Sequence, residues 1–349
     1  MSDAKVRFAL GTRMAVRARI VPPPEHGPRL TDTVGEVVAV DEASVTLESR
    51  RGPVVLSRSE IVAAKVVPPR PVRRGAPHRA VGVADLHRVM TEGNPPLERA
   101  WIGDPGRGWL LRAAGGYTGR ANSLLPLGDP GVPLPEAVEM AAGWHRERGL
   151  RPLVMLPGPP GSAEVAVAAD PLGAELLRRG YTPFGPPVLV LTGESAEVAG
   201  TEVTGAEVAG AAPAETTGPG QVVVREQPTE GWWAACGPAV AAHGDVARRV
   251  VTGPADQRFL SVEDGPEVLG VVRVPVNDGW AGIFGLSVPM PHRRLGIGRR
   301  LSVAAARVAH EAGVRSLYLQ VESTNEAALT LYRDLGLRPH HAYQYLRLP

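Results

Sequence analysis

Short runs of alternating apolar and polar residues open the chain. Val45-Thr46-Leu47-Glu48 is one such run, and turn residues separate it from its neighbours. A period of two indicates strands with one buried face. The predicted strands are Met14–Ile20, Val34–Val40, Ser44–Ser49, Pro53–Leu56 and Ile61–Val66. Their number and spacing predict a small all-β barrel over residues 1–69.

The predicted barrel resembles SH3-like and Tudor-like barrels but lacks their binding chemistry. Phe8 is the only aromatic residue before Trp101. Proline-rich peptides and methyl-lysine are held by clustered aromatic side chains, so neither ligand is expected. A packing or assembly module is favoured, and binding of nucleic acid or a partner through arginine is the alternative. Proline and arginine dominate residues 68–79, which indicates a stiff, solvated linker.

Two later segments, 80–191 and 222–349, repeat one order of elements. In each, a helix ends at glycine, a strand follows, a short helix ends at a second glycine, and a last strand closes the segment. The four glycines are Gly149, Gly180, Gly313 and Gly336. This order predicts a duplicated α/β unit. Residues 192–221 carry small residues and glutamate without leucine or aromatics, which predicts a flexible acidic linker.

A turn rich in glycine and arginine carries the clearest chemical signal. It joins a predicted strand, 281–288, to a helix with apolar residues at helical spacing from Leu301. Unpaired N–H groups and the helix dipole attract anions there, and Gly296 and Gly298 let a diphosphate approach the backbone. Charge-assisted hydrogen bonds are expected from Arg293, Arg294, Arg299 and Arg300. No Gly-Lys-Ser/Thr follows, and Leu301 replaces the third glycine of a dinucleotide fingerprint.

A second motif lies downstream, at a helix predicted to begin near Thr324 with a capping box of Ser323 and Glu326. It reads Asn325-x-x-Ala328, Leu331-Tyr332 and Gly336. With Arg293-x-x-Gly296-x-Gly298, this spacing resembles the GCN5-related N-acetyltransferase (GNAT) family over residues 222–349. Leu337 departs from the family, in which an aromatic residue is usual there.

The resemblance implies an α/β (α+β) fold with tandem GNAT-like mixed-sheet domains, the first degenerate, after an SH3-like barrel. It also implies an acyltransferase (EC 2.3.1 class) that moves acetyl from acetyl-CoA to a primary amine by direct attack. Two parallel strands would splay into a wedge for pantetheine, and Tyr332 would protonate the CoA thiolate. The implied acetyl-CoA contacts are Leu286, Val288, Arg293, Arg294, Leu295, Gly296, Ile297, Gly298, Arg299, Asn325 and Tyr332.

The general base is less defined by the sequence. Glu322, at the end of a strand beside the wedge, is the first candidate, and Asp278 or Glu263 acting through water are alternatives. Cys236 is interpreted as a buried thiol. His340 and His341 are expected in a loop without a third ligand, so no metal site is predicted.

The middle segment is predicted to be a silent copy. Residues 127–135 contain an acid, no base and three prolines, and Leu176 aligns with Tyr332. A polar run nearby is a candidate amine-substrate pocket, and a hairpin turn with interdomain hydrogen bonds is the alternative. The candidates in the run are Arg112, Tyr117, Thr118, Arg120, Asn122 and Ser123.

Composition narrows the class of protein. The chain has 349 residues, 44% hydrophobic and 21% charged, with a formal net charge of +2, too small to indicate a nucleic-acid partner. The single cysteine excludes an internal disulfide, and no apolar run is long enough for a membrane span. A cytoplasmic protein acting on a small-molecule or peptide amine is expected, and a homodimer stays open. The alternatives are a non-catalytic acetyl-CoA or CoA sensor and a nucleic-acid-associated protein acting through the barrel.

Overall fold

The computed structural model describes residues 8, 12–23, 27–41, 43–49, 52–66, 77–201 and 219–349. The chain divides into two compact units, Met1–Arg74 and Gly75–Pro349. Each unit has its own hydrophobic core.

The first unit is an antiparallel sheet in the order β4-β3-β2-β1-β5. Alternate residues such as Val45 and Leu47 are buried, as the sequence pattern predicts. Within the described residues β4 and β5 do not pair with each other, so the predicted barrel is a curled half-barrel. Its strands are β1 (Arg13–Arg19), β2 (Leu30–Val40), β3 (Ser44–Ser49), β4 (Gly52–Ser57) and β5 (Ile61–Val66).

The second unit mixes strands and helices. The strands are β6 (Glu98–Ile102), β7 (Trp109–Ala113), β8 (Leu125–Pro126), β9 (Leu153–Pro157), β10 (Thr182–Glu194), β11 (Gln221–Arg225), β12 (Gln257–Asp264), β13 (Glu267–Asn277), β14 (Trp280–Ser287), β15 (Ser316–Glu322) and β16 (Arg338–Arg347). The helices are α1 (Pro77–Ala80), α2 (Val83–Glu92), α3 (Leu134–Glu147), α4 (Pro171–Arg178), α5 (Ser195–Ala199), α6 (Glu230–Ala234), α7 (Pro238–Val251), α8 (Ile297–Glu311) and α9 (Glu326–Asp334). Among the residues described, no helix is long and apolar enough to cross a bilayer.

One eight-stranded sheet joins the middle and C-terminal segments. Its order is β11-β12-β13-β14-β15-β10-β16-β9, and a separate sheet holds β6, β7 and β8. The exchange is reciprocal, since β10 of the middle segment pairs with β15, and β16 of the C-terminal segment pairs with β9. The two segments therefore share one sheet, and their division into two copies at 80–191 and 222–349 stays a prediction.

The predicted linker 192–221 is wrong at both ends. Thr192 to Glu194 continue β10 because they pair with β15, and α5 follows them directly. Gln221 already belongs to β11. Long-range strand pairing overrides the weak local signal of small residues there. Residues 202–218 of the predicted linker lie outside the described residues.

Three buried histidines form a hydrogen-bonded row. His340 and His341 lie in β16, so the loop predicted for them is wrong. Their Nδ1 atoms are 2.8 Å apart, and His341 Nε2 lies 2.9 Å from His87 Nε2 on α2. Burial lowers the pKa of His87 well below its ordinary value and that of His341 to about 3. No metal-binding group of histidine, cysteine or carboxylate occurs in the described part of the chain.

This row predicts acid sensitivity. Because the folded-state pKa of His341 is about 3 and the unfolded value is about 6.5, the unfolded chain binds more protons between these values. The free energy of unfolding should fall as pH drops below about 6.5, by up to about 1.4 kcal/mol per pH unit for each such histidine. Urea unfolding at several pH values should show a shallower decline for His341→Gln. The exposed control His310→Gln should keep the wild-type slope, and equal slopes in all three proteins would contradict the prediction.

Candidate active site

Two parallel strands stop pairing halfway along their length. β14 pairs with β15 only through Ile283, which lies opposite Leu319. Beyond that point each strand keeps its outer neighbour, since Ser287 pairs with β13 and Glu322 pairs with β10. The inner edges are therefore open while the outer edges are fixed. This confirms the predicted wedge between the two strands.

A bulge in β14 marks the start of the opening. The register between β13 and β14 shifts after Phe284, and Gly285 has a φ of 61°, which glycine adopts without a steric penalty. Bulges bend a strand and break its regular pairing. Leu286 and Val288, the predicted pantetheine contacts, follow the bulge and are half-buried.

The glycine-rich turn leads from the wedge into α8. Gly296 is the residue before the helix, with a left-handed φ of 76° and no side-chain cap. A Cβ built on Gly296 would meet no atom within 4 Å. Open space therefore lies beside Gly296 at the start of α8, where the first N–H groups of a helix lack intrahelical partners.

Three of the four predicted arginines are available at this turn. Arg293 and Arg294 are exposed and Arg299 is half-buried. None of the three forms an ion pair within the described residues. The Nε atom of Arg293 donates to the carbonyl of Val288 at 3.0 Å, which ties the turn to the end of β14.

The fourth arginine has a different role. Arg300 is 1% exposed, and its two terminal nitrogens donate to the carbonyls of Pro219 and Gly220, each at 2.6 Å. Burial lowers the pKa of its guanidinium. The prediction that Arg300 contacts a diphosphate is therefore wrong, because its position on α8 directs it to the residues just before β11.

The second motif forms helix α9. Asn325 is the residue before the helix, and its Oδ1 atom accepts a hydrogen bond from the N–H of Ala328 at 3.2 Å. The predicted capping box with Ser323 is therefore wrong. A contact between Asn325 and acetyl-CoA stays a prediction, since capping uses only the oxygen of its amide.

Tyr332 lies on the inner face of α9. The residue is 6% exposed, and its hydroxyl forms no hydrogen bond with any described residue. Burial raises the pKa of Tyr332 to about 12, so the phenol is protonated at neutral pH. Its neighbour Leu331 approaches the glycine turn: a Cβ on Gly298 would lie 3.6 Å from Leu331 Cδ2 and 3.7 Å from Leu286 Cδ2. The turn, the splayed strand and the tyrosine helix therefore meet at Gly298.

Two cavities adjoin the splayed strands. The larger, of about 480 Å³, is lined by Glu322 of β15, by Tyr345 and Arg347 of β16 and by residues of the middle segment. The smaller, of about 100 Å³, is lined by Gly285 of the bulge together with Tyr117 and Cys236. Thr118 and Arg120 line both. The middle segment thus closes over the C-terminal segment where the sequence predicts an acceptor pocket.

The predicted acceptor residues divide into two groups. Arg112 is 2% exposed and donates to Ser123 through Nε and Nη2. The side-chain amide of Asn122 is hydrogen-bonded to the loop backbone, and its Oδ1 accepts from the N–H groups of Ala114 and Gly116. These two side chains hold the loop together, and Asn122 also lines the larger cavity. Tyr117 lines the smaller cavity and Arg120 lines both.

The candidate bases also separate. Glu263 forms an ion pair with Arg225, which lowers the pKa of its carboxyl and leaves it a poor base. Asp278 has a φ of 49° and lies in the turn between β13 and β14, at the far end of β14 from the wedge. Glu322 is exposed and lines the larger cavity.

Sequence reasoning missed three polar residues near the cavities: Gln320, Tyr343 and Arg273. The Nε atom of Arg120 donates to Gln320 Oε1 at 3.1 Å and to Tyr343 Oη at 3.2 Å. Arg273 is 3% exposed and lines the smaller cavity. A signal for Gln320 was available, since it is the polar residue in the apolar run Leu317–Val321.

The corresponding place in the middle segment holds an apolar cavity of about 720 Å³. Prolines line much of it, and α3 begins there after Pro133, with Pro135 in its first turn. Leu176 is fully buried on α4. No basic side chain lines this cavity, and the absence of acetyl-CoA binding by the middle segment stays a prediction.

Two segments of the chain match models of known protein families. Residues 227–337 match the model described as "Acetyltransferase (GNAT) family", and residues 82–170 match "Probable histone acetyltransferase Rv0428c C-terminal". Residues 227–337 belong to the GNAT acetyltransferase family. The GNAT motif regions identified above, from Arg293 to Gly336, lie inside this match.

Two curated proteins are similar to parts of the chain. "Probable histone acetyltransferase Rv0428c" of Mycobacterium tuberculosis is 36% identical over 149 residues, which are 42% of this chain and 44% of that protein. "Uncharacterized N-acetyltransferase YobR" of Bacillus subtilis is 28% identical over 92 residues, 26% of this chain and 37% of that protein. The chain therefore spans less than half the length of either relative in these matches.

A solved structure shares the fold. "GCN5-related N-acetyltransferase from Kribbella flavida" superposes with a TM-score of 0.53 and 18% identity, covering 77% of this chain and 97% of that one. Residues 222–349 alone are 128 of 349 residues, so the shared GNAT fold extends into the middle segment.

The glycine before α8 gives a stability prediction. Gly296→Ala places a side chain at a left-handed φ of 76° and should lower the free energy of unfolding by about 1–2 kcal/mol. The matched control Gly143→Ala, inside α3 with open space around it, should be neutral or stabilising by up to about 1 kcal/mol. Urea unfolding of both variants measures the difference, and equal effects would refute a left-handed Gly296.

Proposed function

We propose that the protein is an acetyl-CoA-dependent N-acetyltransferase that acetylates a primary amine by direct attack. One observation carries the proposal: the glycine turn, the bulged strand and the tyrosine helix meet at Gly298. In the proposal the turn would bind the diphosphate, the bulged strand would bind the thioester, and the tyrosine helix would supply the proton donor. Membership of residues 227–337 in the GNAT family supports the same chemistry.

The residues present fit acetyl-CoA. Open space lies beside Gly296, and Arg293, Arg294 and Arg299 have no ion-pair partner among the described residues, which suits a diphosphate. The remaining turn residues, Leu295, Ile297 and Gly298, would contribute backbone contacts. Pantetheine would lie along the open edge of β14 at Leu286 and Val288. When bound, acetyl-CoA supplies the activated acetyl group.

The reaction balances with the groups at hand. The lone pair of the neutral amine forms a bond to the thioester carbonyl carbon, and the carbon–sulfur bond breaks. The sulfur accepts a proton from Tyr332, while the amine nitrogen loses a proton to a base. Backbone N–H groups beyond the bulge would stabilise the oxyanion. The products are the acetamide and CoA.

The pKa of Tyr332 sets a condition on this step. Burial raises it to about 12, above that of an exposed thiol, near 8.5. A thiolate leaving inside the same dry wedge is also desolvated. The effect is visible in this protein, because burial raises the pKa of Cys236 to about 12. Desolvation thus raises the pKa of the phenol and that of the leaving thiol in the same direction, from reference values near 10 and 8.5 in water.

Glu322 is the base we propose. It is the acidic residue that lines the larger cavity, and it follows the open part of β15. A carboxylate there would receive the amine proton directly or through water.

The tyrosine gives the catalytic prediction. Tyr332→Phe should lower kcat by about 10²-fold because the general acid is lost, while acetyl-CoA binding stays within about twofold. The matched control is Tyr181→Phe, which removes a hydroxyl from a buried tyrosine near α4, outside the wedge. Release of free thiol measures turnover. Unchanged turnover in Tyr332→Phe would remove Tyr332 from the mechanism.

The arginines give the binding prediction. Arg294→Gln should raise the Kd for acetyl-CoA about tenfold, since charge-assisted hydrogen bonds contribute about 1.5–3 kcal/mol. Arg315→Gln, an exposed arginine at the opposite end of β15, is the control and should leave Kd unchanged. Isothermal titration calorimetry measures both. No heat with the wild-type protein would overturn the proposal, whereas binding without thiol release from any amine would favour the CoA-sensor alternative.

A further inference from the structure

The side chain of Arg120 is fixed at one end and free at the other. It lies in a short 3₁₀ helix, Gly119–Ala121, between β7 and β8. Its Nε atom donates to Gln320 and Tyr343, and the Tyr343 hydroxyl donates to Gln320 Oε1 at 2.9 Å. The two terminal nitrogens have no hydrogen-bond or ion-pair partner among the described residues. A guanidinium held through Nε alone presents a planar pair of donors to a ligand.

Arg120 lies in the wall of both cavities beside the splayed strands. Arg120 lines the larger cavity with Glu322 and the smaller cavity with Gly285 of the bulge. Arg120 therefore lies between the cavity proposed for the incoming amine and the end of β14, where we propose that acetyl transfer occurs. A carboxylate paired with Arg120 would hold a nearby amine at the mouth of the wedge.

The charges around the two cavities favour an anionic group on the ligand. Arginines at positions 120, 151, 273 and 347 line them, against the single acid Glu322. Arg347 is fixed by stacking on Phe184, with 3.9 Å from Cζ to the ring centroid. A polyamine would meet this excess of positive charge without compensation. An amine with its own carboxylate offsets the charge and leaves Glu322 free to accept the proton.

We propose that the acceptor is a small amine bearing a carboxylate, of the amino-acid class, and that Arg120 binds its carboxylate. The proposal rests on the proposed acetyltransferase function and names the substrate class of that site. Gln320 and Tyr343 are positioning residues that orient the guanidinium. Arg120 acts in ground-state binding, so its loss should appear mainly in KM for carboxylated acceptors.

The test compares matched acceptors. Free-thiol release is measured with a panel of L-amino acids, the corresponding amino-acid amides, and spermidine, all with saturating acetyl-CoA. The wild-type protein should show kcat/KM at least tenfold higher for the best amino acid than for its amide. Arg120→Met should bring that ratio close to one through a higher KM for the acid. The exposed rim control Arg151→Met should keep most of the preference.

The binding and turnover measurements distinguish a failure of the carboxylate subsite from a failure of the acetyltransferase assignment. Calorimetry with acetyl-CoA on Arg120→Met reports folding of the wedge, and an unchanged Kd with a lost acid preference supports the proposal. Arg120→Lys, which keeps the charge but not the planar donor pair, should recover only part of the preference.

Turnover of amides or spermidine equal to that of amino acids overturns the carboxylate subsite and leaves the acetyltransferase assignment intact. Stronger turnover of taurine or phosphoethanolamine than of β-alanine overturns the choice of carboxylate. Absence of acetyl-CoA binding refutes the function itself, and the substrate class with it.

Discussion

Main-chain hydrogen bonds between β10 and β15 are the interaction on which the site depends. β15 must leave β14 after Leu319 to open the sheet, and a strand without neighbours would not hold that position. β10 pairs with β15 from Glu194 to Val188, as far as Glu322. The opening is therefore built into the folded protein, and a ligand does not need to separate the strands.

Strand β10 also brings residues of the middle segment close to the candidate active site. Because β10 lies between β15 and β16, the loop around Arg120 is brought close to Gln320 of β15 and Tyr343 of β16. The middle segment thereby contributes Arg120 to the wall of the cavity in which we propose that the acceptor binds.

Local signals allowed much of this structure to be predicted. Glycine spacing and the apolar periodicity after Leu301 fix the turn and α8, because both depend on neighbouring residues. The hydrogen-bond partners of Arg300 could not be predicted, because the carbonyls that accept from it lie about 80 residues earlier in the chain. His87 and His341 are similarly distant, and their contact exists only because α2 packs on the sheet.

The order of the strands in the sheet is the main feature that the sequence did not predict. The alternation of apolar residues and the positions of turns predict β10 and β16 as strands. No local feature of the sequence predicts that β10 lies between two strands of the C-terminal segment. The extension of β10 to Glu194 has the same origin, as its last residues have little apolar character and are ordered by pairing with β15. The role of Gln320 follows from that insertion, so it also required the structure.

The placement of β10 at an interior position of the sheet also bears on how the chain can be divided. A fragment beginning at residue 219 would keep the family motifs but lose the strand between β15 and β16. Two rows of unpaired backbone groups would then face water, and such edges promote aggregation. Truncation at residue 219 would therefore remove the backbone pairing with β10 that holds β15 in place beyond Leu319.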